Sequence, residues 1–229
     1  MPTESAKPCE HYKDRKFLLE LELVVDESEE HKIHEFDLAK LKGFGIDHQR
    51  MILNREDSTQ PSFFAPYPSI LGPSDSTVDG VGLLSKFEDT CFTDPVDRAR
   101  QVAGPYNDDY TPKDLFQDDE PEFGPFGMTD IRGKAFPRTK AFMYNNPDAT
   151  DDTTLRGELL TILRLMLGQL RKVFLVSFMG KRARAFESYF NGRALALRTT
   201  QLYKFPEETS LGFKHLAELY LSSPTGDTF

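Results

Sequence analysis

A chain of 229 residues with a net charge of −9 and an apolar fraction of 38%, below the roughly 45 to 50% usual for globular domains, has material for one compact module plus long irregular stretches. Two cysteines are too few for a disulfide framework. The apolar run from Leu159 to Leu170 is broken by Thr161, Arg164, Gly168 and Gln169, so it falls short of the roughly 18 residues that a membrane span needs.

Residues 1–15, within MPTESAKPCEHYKDRK, are polar and lack the apolar core of a secretory signal. The expectation is a flexible N-terminus on an intracellular protein, cytoplasmic or nuclear, with no membrane partner. Lys16 to Val25, KFLLELELVV, alternates: Phe17, Leu19, Leu21, Leu23 and Val25 point one way, and Lys16, Glu20 and Glu22 the other. That period predicts a half-buried strand, paired through DESEEHK with a second strand at Ile33 to Leu38, so residues 16–55 read as an N-terminal β-hairpin segment.

Residues 56–150 form an acidic, Pro- and Gly-rich segment holding eleven of the fifteen prolines. Proline removes backbone donors and glycine raises the entropy cost of order, so regular structure here is expected to be short. Its many Phe and Tyr residues suggest an irregular coat pinned to a folded module.

Regular patterning returns at Asp151, and residues 151–229 read as the core. Asp151 to Thr154 supply an N-cap, and Leu155, Leu159, Ile162, Leu163, Met166 and Leu170 follow a 3.6-residue spacing toward Arg171 and Lys172. Val173 to Met179 reads as a central strand, Arg182 to Phe190 as a second, and Arg193 to Tyr203 as a third. A type I′ turn at Asn191-Gly192 would set Phe186 opposite Leu197 and join Phe186, Leu195 and Leu197 in one apolar face. A last helix, capped by Thr209 or Ser210, carries Phe213, Leu216, Leu219 and Tyr220. The fold class expected is α+β: an antiparallel three-stranded meander flanked by two helices, with the N-terminal β-hairpin and the long irregular segment around it.

Charge divides along the same boundary. Leu155 to Phe229 holds 11 Lys or Arg against 6 Asp or Glu, net +5, leaving 17 against 31, net −14, for the first 154 residues. The plain reading is that the two parts lie against each other; the sharper one is that the basic part meets an external anion.

Catalytic signatures are sparse. No P-loop, G-x-S-x-G, H-E-x-x-H or G-x-G-x-x-G is present. Cys9, His11, His31 and His34 lack zinc-finger spacing, and no metal or other cofactor is assigned. Glu20 and Glu22 share the expected strand face, as exposed strand pairs routinely do. Glu30-His31-Lys32 spells E-x-K inside an expected turn, Glu158 reads as a first-turn dipole partner, and Cys91 sits among acidic neighbours that would raise its pKa. The binding candidates are Arg182, Arg184, Arg193 and Arg198, because arginines interleaved with aromatic residues on a sheet suit phosphates and bases. Ion pairing to the chain's own carboxylates competes for them.

The tract VFLVSFMGKRARAFESYFNGRALALRTTQLYKF, after its Glu158-bearing helix, resembles a set of uncharacterised filamentous-fungal proteins with a helix, a SFMG strand, an Ala-Arg strand, an aromatic-x-Gly turn and an Arg-bearing strand ending in Leu-Tyr. The resemblance covers about the last third and implies a structural motif without an activity. A fainter likeness is to the region preceding the kinase domain of fungal-type protein kinases, carried by Gly168-Gln169-Leu170 and Ala183-Arg184; the kinase motifs themselves are missing. The functional expectation is a non-enzymatic interaction or accessory protein of filamentous fungi with another protein as partner. The alternative is a divergent nuclease-like or nucleic-acid-binding domain using the Arg-rich face, and the third a fungal metabolic enzyme with dispersed site residues.

Overall fold

The computed structural model describes residues 8–52, 63–65, 115–131, 138–169, 172–204, 216 and 223–224. Among these residues run the helices α1 (Pro8–Glu27), α2 (Leu38–Gly43) and α3 (Arg156–Gln169). The strands are β1 (Glu35–Asp37), β2 (Ile46–Arg50), β3 (Phe64–Ala65), β4 (Phe123–Ile131), β5 (Arg138–Asn145), β6 (Thr153–Leu155), β7 (Lys172–Met179), β8 (Arg182–Phe190), β9 (Leu195–Thr199), β10 (Tyr203–Lys204) and β11 (Ser223–Pro224). The chain is α+β, as expected.

The N-terminal hairpin is not there. Residues 16–25 lie in α1, and the helix also runs back into the stretch expected to be flexible. Leu18, Leu21, Glu22 and Val25 are buried while Leu23 and Val24 are each 46% exposed; that three- and four-residue spacing is the signature of a helix. Leu, Glu and Lys favour helix over strand, and the alternation of a Leu/Glu run is only one of its two periods. A tertiary partner decides between them: α1 packs on α3. The second expected strand survives as β1, which pairs with β6 rather than with residues 16–25, and Asp37 then caps α2 by accepting from the Lys40 N–H at 2.7 Å.

The main sheet has seven strands in the order β2-β9-β8-β7-β5-β4, with β10 continuing alongside β8. The three strands expected of a meander are neighbours, β7 with β8 and β8 with β9, both antiparallel. They form the middle of this wider sheet and not a meander of their own. β5 lies parallel to β7 across α3, and β2 lies parallel to β9. Phe123–Ile131 and Arg138–Asn145, placed within the irregular segment by its prolines and glycines, instead make the antiparallel pair β4 and β5; Pro125 is accommodated on the sheet's edge strand beside a bulge.

The β8–β9 turn also differs. Phe186 faces Thr199 and Phe190 faces Leu195, a shift of two residues from a type I′ hairpin. The Asn191 side chain takes the N–H groups of Arg193 and Ala194 at 3.0 and 2.9 Å, and only Gly192 has positive φ, at 86°. A side-chain bond to the backbone has replaced the two-residue turn. Because the shift is even, Phe186, Leu195 and Leu197 stay together in the core.

Helix α3 begins at Arg156 after β6 and not at the expected Asp-Thr cap. It is buried around most of its circumference, with α1 on one side and the sheet on the other. Gly157 allows this depth: a Cβ there would stand 2.5 Å from both the Asn145 Oδ1 and the Phe123 ring. The reverse face of the sheet carries a second core, Phe142, Phe174, Val176, Ala183, Ala185 and Tyr203 among its members, where buried Leu216 also sits. The rest of the expected last helix lies outside the described residues.

Candidate functional site

Strand alternation places charge on both faces of the sheet. On the helix-covered face, Arg184 of β8 is 1% exposed and meets Glu158 of α3, itself fully buried. Its Nε donates to Glu158 Oε1 at 3.0 Å, its Nη2 to Glu158 Oε2, and its Nη1 to the carbonyls of Thr150 and Thr153 at 2.9 and 2.7 Å. Glu158 also takes the Leu155 N–H at 2.8 Å, half of a capping box at the start of α3. A fork-to-fork pair that also ties down two backbone carbonyls is a structural rivet.

Between helices, Arg164 of α3 donates to Glu22 at 2.9 Å and to Asp26 at 2.8 Å on α1. Arg156 reaches Asp26, Glu29 and the Gln117 amide oxygen. Acidic N-terminal and basic C-terminal portions therefore lie against each other, through α1. The Glu20–Glu22 pair is separated by the helix: Glu20 is exposed beside Lys16, and Glu22 is buried on Arg164.

The reverse face holds a denser group. Register sets Arg138 beside Lys172, Lys140 beside Phe174, Phe174 beside Glu187, and Glu187 beside Arg198. Arg138, Lys172 and Arg198, from three strands, thus gather about the Glu187 carboxylate of a fourth, with Lys140 beyond Phe174 on the same face. Arg198 donates from Nη1 to Glu187 Oε2. Burial pushes the Lys140 ammonium down to about 8, and burial followed by the Arg138 charge lowers Lys172.

Phe63, immediately before β3, lies on this group. Its N–H donates to Glu187 Oε1 at 2.8 Å, and its carbonyl accepts from Arg138 Nη1 at 2.7 Å. The Lys172 Nζ stands 3.8 Å from the ring centroid, and the Tyr189 ring meets it edge-on at 4.8 Å. One residue is held by four side chains.

The four arginines singled out from the sequence do not make a common surface. Arg184 is buried on the helix side and Arg198 on the reverse side, each on a carboxylate. Arg182 opens β8, its side chain 40% exposed, near the Ala149 carbonyl and Asp148. Arg193 is exposed in the turn at the strand's other end, on the order of 25 Å away along a strand of this length. His31 is exposed in the turn after α1 and His34 lies near Glu29; the side chains of Cys9 and His11, like all of Cys91, are outside the described residues. Among the described residues, no cluster of three or more His, Cys, Asp or Glu could hold a metal ion.

Sequence reading missed Arg138, Lys140, Lys172, Glu187 and Phe63 as a group. A signal was present for part of it: Arg138, Lys140, Phe142 and Lys172, Phe174, Val176 each alternate, and two such runs on neighbouring strands would stack cation on cation. Nothing local announces that β5 neighbours β7, or that Phe63 returns from 75 residues before Arg138. Comparison of the chain with family models, curated proteins and solved structures finds no match.

Proposed function

We propose that this chain is a non-enzymatic interaction or accessory protein of the filamentous-fungal kind its C-terminal third resembles. The observation that carries the reading is the commitment of its buried carboxylates. Glu22, Glu158 and Glu187 each bond an arginine. A carboxylate so held has its oxygens committed to a guanidinium, and withdrawing it for chemistry would strand a buried cation. The charges serve the fold, and the surface is left for binding. Affinity purification of the full chain from its native cell tests this: a protein partner at fixed stoichiometry is the expected result, and a chain that elutes alone and turns over a co-purified metabolite would end the reading.

A second reading, the divergent nuclease-like or nucleic-acid-binding domain, has one observation in its favour. Lys140 is a buried lysine whose ammonium loses its proton near pH 8, the kind of perturbation found at reactive sites. Its neighbours across the sheet are Phe174 and Thr129, however, where a nuclease needs carboxylates for Mg²⁺. Mg²⁺-dependent cleavage of DNA or RNA that disappears in Lys140→Met would favour it, and salt-insensitive absence of binding would dismiss it.

A further inference from the structure

We infer that the cationic group on the reverse face of the sheet is a peptide-recognition site for an aromatic residue in an extended segment, occupied within this chain by Phe63. The inference rests on the interaction-protein reading and names the class of partner.

Phe63 packs at the border of the second apolar core, yet Glu187, Arg138, Lys172 and Tyr189 beside it read both halves of the residue. Glu187 takes the N–H at 2.8 Å and Arg138 gives to the C=O at 2.7 Å, which are the two bonds that any extended peptide offers. Lys172, 3.8 Å from the ring centroid, and Tyr189, edge-on at 4.8 Å, select a π-face among side chains. The main-chain groups of Phe63 are thus held by side chains of β5 and β8, not by a continuous backbone ladder.

The site is also positioned in advance. Glu187 is oriented by Arg198 on the adjacent strand, and Arg138, Lys172 and Glu187 project from central or near-central strands of a seven-stranded sheet. Among the described residues, the segment carrying Phe63 pairs through β3, two residues against two of β11. A rigid receptor and a short attachment are the conditions for exchange: a peptide in trans with the same residue competes against the tethered one, whose advantage is a roughly millimolar effective concentration.

The test uses the full chain and a fluorescein-labelled peptide of residues 58–67, STQPSFFAPY. In the Phe63→Ala host, fluorescence polarisation should show the peptide binding at least tenfold more tightly than in the wild-type chain. The same peptide carrying Phe63→Ala should bind at least tenfold more weakly, as should the original peptide in a Phe63→Ala, Lys172→Met host. Equal binding of both peptides, or none in a folded Phe63→Ala host, overturns the proposal. If that host does not fold, Phe63→Trp replaces it: the chain has no other tryptophan, so its emission reports this site alone. Peptide at millimolar concentration should shift that emission to the red, and an unmoved spectrum overturns the proposal. A natural partner retained undiminished by Lys172→Met would sink this site while leaving the interaction-protein reading intact.

Discussion

Arg184 and Glu158 show what a buried charge does in this molecule. Neither is a free cation or a free acid; together they join β8 to the first turn of α3 and tie down the Thr150 and Thr153 carbonyls on the way. Removing one partner leaves the other charged and dry, so Arg184→Met should cost about 3 to 5 kcal/mol in urea unfolding, while Arg184→Met with Glu158→Met recovers most of that loss. Lys140 gives a prediction with a pH sign. Below about pH 8 it is protonated both in the fold and in the unfolded chain, so the fold bears a buried ammonium. Between about 8 and the ordinary 10.5 only the unfolded chain keeps the proton, and stability from this residue rises with pH across that window. Lys140→Met should therefore stabilise by about 1 to 3 kcal/mol at pH 7, the gain fading as urea midpoints are followed toward pH 10.5. Gly157→Ala tests packing instead: its Cβ would meet Asn145 and Phe123 at 2.5 Å, and a loss of about 1 to 3 kcal/mol should follow.

Among elements, α1 is the one whose sequence carries two periods at once. Read in twos, Leu21 and Leu23 share a face; read in three-sixes, they point apart, and the fold buries Leu21 at 4% exposure while leaving Leu23 at 46%. Denaturation of the two alanine variants separates these readings: Leu21→Ala should cost about 2 to 4 kcal/mol and Leu23→Ala under about 0.5. Equal costs would restore the strand. The Asn191-Gly192 turn makes the converse point, since its residues mark a hairpin correctly and still leave open which of two registers the Asn191 side chain will stabilise. Continuous apolar strands such as β7 were legible because burial on both faces needs no alternation. The β4–β5 pair was not, because Gly124, Pro125 and Gly127 look like breakers until an edge and a bulge are available to hold them.

For the whole molecule, the basic C-terminal third supplies the centre of the sheet, and other parts of the chain flank it: β7 pairs with β5, β9 with β2, and Arg156 and Arg164 bond Asp26 and Glu22. A fragment of residues 151–229 should consequently show no cooperative thermal transition, whereas the full chain should; a sharp transition in the fragment would show that the outer strands and α1 are dispensable. By itself the amino-acid sequence determined the α+β class, the helix α3, the neighbouring strands β7, β8 and β9, and the attraction between an acidic and a basic portion. These depend on periodicity and charge within a few dozen residues. Only tertiary structure decided that α1 is a helix, that β5 and β2 extend the sheet, and that Phe63 meets Glu187 across 124 positions of chain. Long-range pairing is chosen by which surfaces can be buried together, and that choice leaves little trace in any local window.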